Sequence, residues 1–134
     1  MELTGERMLE PLSVTFRVED DALYVIDRKP GGTTLRLLAI SLLTNRVTVL
    51  DERVADGAFT AVSLSIGIDG NLMLVAGDRE TTSLFRIALT AEGPRIVAGA
   101  KSGDAMSGAA RETPDGVTFL TRVEGGYHPV VVSF

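Results

Sequence analysis

Hydrophobic and polar residues alternate with a period of two over short stretches that end at turn residues. Val14, Phe16 and Val18, for example, are separated by single polar residues. This spacing is typical of a β-strand with one buried face. Comparable apolar stretches predict further strands at 23–27, 35–42, 46–50, 61–66, 72–76, 84–89, 95–98, 105–111, 117–122 and 128–134. The pattern therefore predicts an all-β protein.

One of these stretches fits two elements. The apolar residues within 35–42 also satisfy helical spacing, with Thr33 or Thr34 as a possible N-cap. The equivalent segment 84–89 has its apolar residues at strand spacing, and a turn follows both segments. We therefore expect a strand at 35–42, with a helix as the alternative.

The order of strands and turns recurs along the chain. Asp69-Gly70 and Asp115-Gly116 each precede an apolar strand, and Asp20-Asp21 is a looser copy. We expect a two-residue hairpin turn at each, because Asp-Gly accepts the positive φ angles that such turns need. The recurrence indicates three tandem four-stranded units in one repeat domain, with the last unit lacking its fourth strand. Their approximate bounds are 13–51, 59–98 and 105–134.

The missing strand has a candidate at the other end of the sequence. Residues 3–9 resemble segments 43–47 and 89–97, where fourth strands are predicted. We therefore expect a strand at 6–10 to complete the sheet of the third unit. Such sharing would remove a free sheet edge.

The stretch from Ser83 to Val132 resembles the propeller repeats of the TolB-like and WD-repeat-like groups. It has their order of an outer hairpin, a linker, the turn Pro114-Asp115-Gly116 and the next strand. Only the third unit has Pro-Asp-Gly, whereas the second has Ile68-Asp69-Gly70. The resemblance implies that the units are antiparallel blades of a β-propeller.

Propellers typically have four to eight blades, so three blades would not close a ring. Two copies related by a two-fold axis would make six. We therefore expect a homodimer in which residues 7–9 of one copy extend the sheet formed by 128–134 of the other. The alternatives are a segment of a larger propeller and a β-trefoil, which would close as a monomer.

Composition limits the partners. The 134 residues carry a net charge of -5 and no run of Lys or Arg, so we expect neither nucleic acid nor a membrane as partner. The absence of cysteine excludes disulfides, thiol catalysis and Cys-based zinc sites. No signal-peptide pattern opens the sequence, which predicts a cytoplasmic protein unless the chain is a fragment of a longer exported one.

Candidate catalytic groups are few. His128 is the single histidine and is expected at the surface, and Ser107 lacks the pattern of a nucleophile elbow. The acidic run Glu19-Asp20-Asp21 reads as a turn rather than a cation site. The glycine-rich stretches 29–32 and 98–103 do not match a phosphate-binding loop. We expect no catalytic residue, no metal and no cofactor.

A charged pattern does recur in the loops that follow the second strand of each unit. These loops share one face in a propeller blade. Arginine beside carboxylate in such loops would offer bidentate contacts to an acidic or amide-bearing partner. We expect a non-catalytic scaffold that binds a protein or peptide there, with a small-molecule-binding or metal-dependent hydrolytic propeller and a purely structural segment as alternatives. The site residues are Asp27, Arg28, Asp78, Arg79 and Arg122.

Overall fold

In a computed structural model that describes residues 2–134, the regular structure is β-strand apart from one short 3-10 turn. The chain divides into two compact units, with the division between Gly57 and Ala58. The strands are β1 (Thr4–Gly5), β2 (Glu10–Arg17), β3 (Ala22–Arg28), β4 (Thr34–Ser41), β5 (Arg46–Asp56), β6 (Ala61–Ile66), β7 (Leu72–Gly77), β8 (Thr82–Thr90), β9 (Gly93–Ser102), β10 (Met106–Thr113), β11 (Gly116–Val123) and β12 (Gly126–Val132).

The all-β prediction is confirmed, and each stretch predicted as a strand overlaps one except 6–10, where a strand begins only at Glu10. Three sheets form from consecutive strands: the first sheet (β1–β5), the second (β6–β9) and the third (β10–β12). β2–β5, β6–β9 and β10–β12 are antiparallel meanders. The ambiguous segment is strand β4, not a helix. Leu35, Leu37 and Leu38 are each 0% exposed, so burial on both faces explains why the apolar run does not alternate.

The N-terminal segment lies across the first sheet. Thr4 pairs in parallel with Arg46, and the Glu6 N–H donates to the Val47 carbonyl at 3.0 Å. Met8 then packs on the cluster formed by Val25, Leu38, Ile40 and Val47. Since β1 lies at the β5 edge and β2 forms the other edge, residues 6–9 cross the face between them. Residues 6–9 therefore pack on the first sheet without forming a strand, whereas the sequence predicted a strand at 6–10 for the third unit.

The second and third sheets pack face to face within one unit. β10 lies against β6 and β7, and β12 approaches β9, so the strands of the two sheets follow the same order. The buried core between them is formed by Met73, Val75, Leu84, Met106, Ala110, Val117 and Phe119. Phe119 is 2% exposed, and burial of its ring contributes about 2–3 kcal/mol.

The turns within the units are less uniform than predicted. Two-residue hairpin geometry occurs at Pro114–Asp115, where Thr113 pairs with Gly116. The corresponding turn before β7 spans residues 67–71, because Ile66 pairs with Leu72. The turn before β3 contains the 3-10 segment Val18–Asp20. A two-residue turn therefore occurs at one of the three predicted places, and it is formed by Pro114 and Asp115 rather than by Asp115 and Gly116. Longer loops also accommodate the positive φ of residues such as Gly70 (85°).

Proline occupies open sheet edges. Val123 and Gly126 flank a two-residue turn and form a hydrogen-bonded pair, so Pro129 opposite Leu120 takes a non-hydrogen-bonded position. Its nitrogen is therefore directed towards the open edge of β12. Pro94 has the same placement on edge strand β9, one pair beyond the turn. Each proline removes one donor from an open edge and so disfavours the addition of another strand.

Candidate functional site

The first predicted site residue, Asp27, lies inside the protein. It is 0% exposed and sits near the end of β3, directly opposite Arg36 on β4. Arg36 Nε donates to Asp27 Oδ1 and Arg36 Nη2 donates to Asp27 Oδ2, both at 2.8 Å. The Leu9 N–H adds a third bond to Oδ2 at 2.7 Å. Asp27 therefore positions Arg36 and is not presented to a partner.

A cavity of about 280 Å³ opens beside this pair in the first unit, at the turn between β3 and β4. Arg36 lies at its wall with a side chain that is 14% exposed. Its Nη1 is 3.7 Å from Glu52 Oε2, which is an ion pair but too long for a hydrogen bond. Arg28, the second predicted residue, precedes this turn at the end of β3 and is half-buried. The lining residues are Leu9, Lys29, Gly32, Thr33, Thr34, Arg36 and Glu52.

The equivalent turn of the second sheet is organised by Asp78. Its Oδ1 accepts hydrogen bonds from the N–H groups of Glu80 and Thr81, both at 2.8 Å. These bonds, first that from Glu80, hold the pKa of the Asp78 carboxyl below its usual range. The neighbouring Arg79 is exposed and lines an open depression of about 460 Å³. The carboxylate of Asp78 is therefore bound by the backbone of its own turn, whereas the side chain of Arg79 is exposed to solvent.

Arg122 lies at the corresponding turn of the third sheet. It is exposed near the end of β11 and lines a depression of about 520 Å³ that includes Tyr127. The Met106 N–H donates to Thr82 Oγ1 at 2.9 Å, and Met106 pairs with Thr121. Met106 thus joins Thr82, which directly follows the β7–β8 turn, to Thr121, which directly precedes Arg122. The β7–β8 turn with Arg79 and the end of β11 with Arg122 therefore lie at the same end of the second unit.

An ion-pair cluster that sequence reasoning missed ties the two sheets of the second unit together. Arg86 on β8 makes two hydrogen bonds to the Glu112 carboxylate on β10, one of them from Nη1 to Oε1 at 3.0 Å. Asp69 Oδ1 lies 2.9 Å from Arg86 Nη1, and the Ile68 N–H donates to Glu112 at 2.9 Å. A Cβ at position 67 would come within 2.6 Å of Glu112 Oε1, so Gly67 makes room for this carboxylate.

The contacts of this cluster favour the charged forms of both Arg86 and Glu112. Hydrogen bonding from Arg86 holds the pKa of Glu112 below its ordinary value, and the same bond raises the pKa of Arg86. The Phe134 ring lies 4.9 Å from the Arg86 guanidinium carbon, a cation–π distance. No local sequence signal identifies Arg86 and Glu112 as partners, because they are far apart in the chain and meet only through sheet packing.

The acidic run after β2 forms a turn, as expected. Arg17 pairs with Asp20 at 2.6 Å and with Glu19 at 3.0 Å. The Tyr24 hydroxyl donates to Asp20 at 2.6 Å, which lowers the pKa of Asp20. Burial, followed by this hydrogen bond, raises the pKa of Tyr24 to about 12. These carboxylates are thus engaged by protein groups.

Other candidate groups lie apart. His128 is exposed on β12, opposite Thr121. Within residues 2–134, no three His, Asp or Glu side chains come together as potential metal ligands. In the same residues, no helix is long and apolar enough to cross a membrane.

Comparison with family models, with curated proteins and with solved structures finds no match to this chain. Exposed arginines lie at the β7–β8 and β11–β12 turns, and the exposed Lys29 lies at the β3–β4 turn.

Proposed function

We propose that this protein is a non-catalytic β-propeller scaffold that binds a protein or peptide through its turn regions. The stacking of the second and third sheets supports the blade interpretation. These two sheets pack face to face with first strand against first strand, which is how neighbouring blades pack. Each sheet also consists of consecutive strands, which favours blades over the β-trefoil alternative.

One observation carries the binding proposal. A depression adjoins the turn between the second and third strands of each of the three meanders, at β3–β4, β7–β8 and β11–β12. A basic residue stands beside each: Lys29, Arg79 and Arg122. Three unrelated turns would not be expected to carry the same combination, whereas repeated blades with a common binding face would.

The charge expected of the partner follows from which side chains at these turns already form hydrogen bonds within the protein. Asp27 and Asp78 are held by internal hydrogen bonds, so they do not compete for an incoming ligand. In the second unit, the exposed guanidinium groups of Arg79 and Arg122 lie at one end. Guanidinium groups bind carboxylates in bidentate geometry. We therefore expect an acidic peptide segment as the partner.

A displayed library of acidic and neutral peptides selected on the wild-type protein tests this proposal. We expect enrichment of peptides with carboxylates, and at least a tenfold loss of their binding on Arg79→Glu together with Arg122→Glu, since each desolvated charge pair contributes about 1–2 kcal/mol. Arg95→Glu is the matched control, because Arg95 is exposed at the opposite end of the unit, near the β8–β9 turn. Equal loss on the control, or binding indifferent to the double reversal, would reject the proposal.

The six-bladed homodimer remains our proposal for ring closure, and the structure constrains how it would form. Residues 6–9 are held on the first sheet by Glu6, Met8 and Leu9, and Pro129 lacks a donor at the β12 edge. Closure by strand exchange would have to break these contacts. Light scattering of the purified chain measures the mass: two copies support the ring, whereas a monodisperse single copy rejects the homodimer.

A further inference from the structure

We propose that the cavity beside Arg36 in the first unit binds a small monocarboxylate. This cavity is the depression that adjoins the β3–β4 turn, but the acid proposed here is held by Arg36, so its binding is tested independently of peptide binding at Arg79 and Arg122. Its volume of about 280 Å³ is near the lower bound for small-molecule pockets, so it suits a ligand of a few heavy atoms.

Arg36 is the residue that would bind the ligand carboxylate, because its guanidinium group is held in place and still has N–H donors without a hydrogen bond. Nε and Nη2 donate to Asp27, and Nη2 also donates to the Arg7 carbonyl at 3.0 Å. Three of the five N–H donors of the guanidinium are thereby used. Nη1 carries the other two, and Glu52 Oε2 lies 3.7 Å from it, beyond hydrogen-bond distance. A carboxylate oxygen placed in the cavity would accept these hydrogen bonds without any reorientation of Arg36.

The rest of the lining fits an acid with a short apolar body. Lys29 adds a second positive charge at the rim, and Leu9 gives an apolar wall. Two carboxylates compete for Arg36. Glu6 acts on it electrostatically but accepts a hydrogen bond from the Val49 N–H, and the Glu52 side chain is 74% exposed. An exposed ion pair at 3.7 Å is weak and screened by salt, so a ligand carboxylate would displace Glu52 at little expense.

This arrangement predicts opposite effects of two substitutions. Lys29→Glu replaces attraction by repulsion and should weaken binding by roughly fivefold. Glu52→Gln removes one competing carboxylate and should tighten binding by about two- to fivefold. Lys101→Glu is the matched control, since Lys101 is the other lysine of the chain and lies on β9 in the second unit.

The experiment is an NMR titration of the isotopically labelled full chain with acetate, butyrate, benzoate and inorganic phosphate. We expect saturable amide shifts confined to the cavity residues and the neighbouring turn, with a carboxylate preferred over phosphate. Affinity should fall in Lys29→Glu, rise in Glu52→Gln and stay unchanged in Lys101→Glu. Stronger binding of phosphate than of every carboxylate, shifts that do not saturate, or equal affinity in all three variants would overturn the proposal.

Discussion

The Arg86–Glu112 pair offers a sharp test of how the second unit is held together. The side chains of Arg86 and Glu112 are 15% and 6% exposed, and the pair joins β8 of the second sheet to β10 of the third. Glu112→Gln keeps the shape of the side chain but removes its charge. Arg86 would then retain Asp69, whose side chain is 42% exposed, as its remaining anionic partner.

The expected magnitude follows from burial. Removal of one partner of a buried ion pair lowers stability by about 3–5 kcal/mol, and the remaining contact with Asp69 offsets about 1 kcal/mol of this. We therefore expect Glu112→Gln to lower the free energy of unfolding by about 2–4 kcal/mol. The matched variant Asp69→Asn should lower it by about 1 kcal/mol or less, because that pair is largely exposed.

Urea denaturation followed by circular dichroism measures both changes. With a slope of about 2 kcal/mol per molar urea, Glu112→Gln should shift the midpoint by about 1–2 M, and Asp69→Asn by about 0.5 M or less. Equal shifts in the two variants would refute the assignment of the buried partner. So would a Glu112→Gln shift smaller than that of Asp69→Asn.

The pH dependence gives an independent check. Because hydrogen bonding from Arg86 depresses the folded-state pKa of Glu112, its contribution is complete above the ordinary value of 4.5 and is lost as pH falls through the folded-state pKa. The stability difference between wild type and Glu112→Gln should therefore shrink on acidification below about pH 4.5. A difference that stays constant down to the acid limit would contradict this mechanism.

Three further predictions concern other parts of the molecule. Asp27→Asn should destabilise the protein by about 3 kcal/mol in urea denaturation, because it leaves Arg36 without its buried partner. Tyr24 should ionise near pH 12 in an ultraviolet titration, and Asp20→Asn should lower the pKa of Tyr24. Since the raised pKa favours the neutral phenol in the folded state, that contribution is present below pH 10 and is lost as pH rises towards 12. Pro129→Val should increase concentration-dependent association measured by light scattering, because it restores a donor on the β12 edge; unchanged association would show that the edge is protected by other means.

The strands themselves were largely predictable from local pattern. Segment 61–66 was predicted with the bounds that β6 has, and the other predicted strands differ from the observed ones mainly at their ends, except that residues 6–9 form no strand. The period of two and the turn residues indicate where each strand lies. A strand with one buried face alternates apolar and polar residues, and it ends where turn residues begin. The helical alternative at 35–42 arose because both faces of β4 are buried, which removes the alternation.

The candidate site was predicted less well. The turns around Arg79 and Arg122 were identified from sequence, and the structure places them at one end of the second unit. The structural role of Asp27 was not predicted from the sequence. Its neighbour in the sequence is Arg28, whereas the residue that it binds is Arg36 on the next strand. Side-chain partners across strands depend on register, which a single sequence does not specify at the level of one residue.

The sequence by itself therefore determined the all-β class and most of the strand segments, because these depend on local periodicity and turn chemistry. The tertiary structure alone decided where the N-terminal segment packs, which carboxylates are engaged and which arginines remain presented. Those outcomes depend on contacts between residues distant in the chain, such as Leu9 with Asp27 and Arg86 with Glu112. Such contacts form only when the sheets have assembled in register.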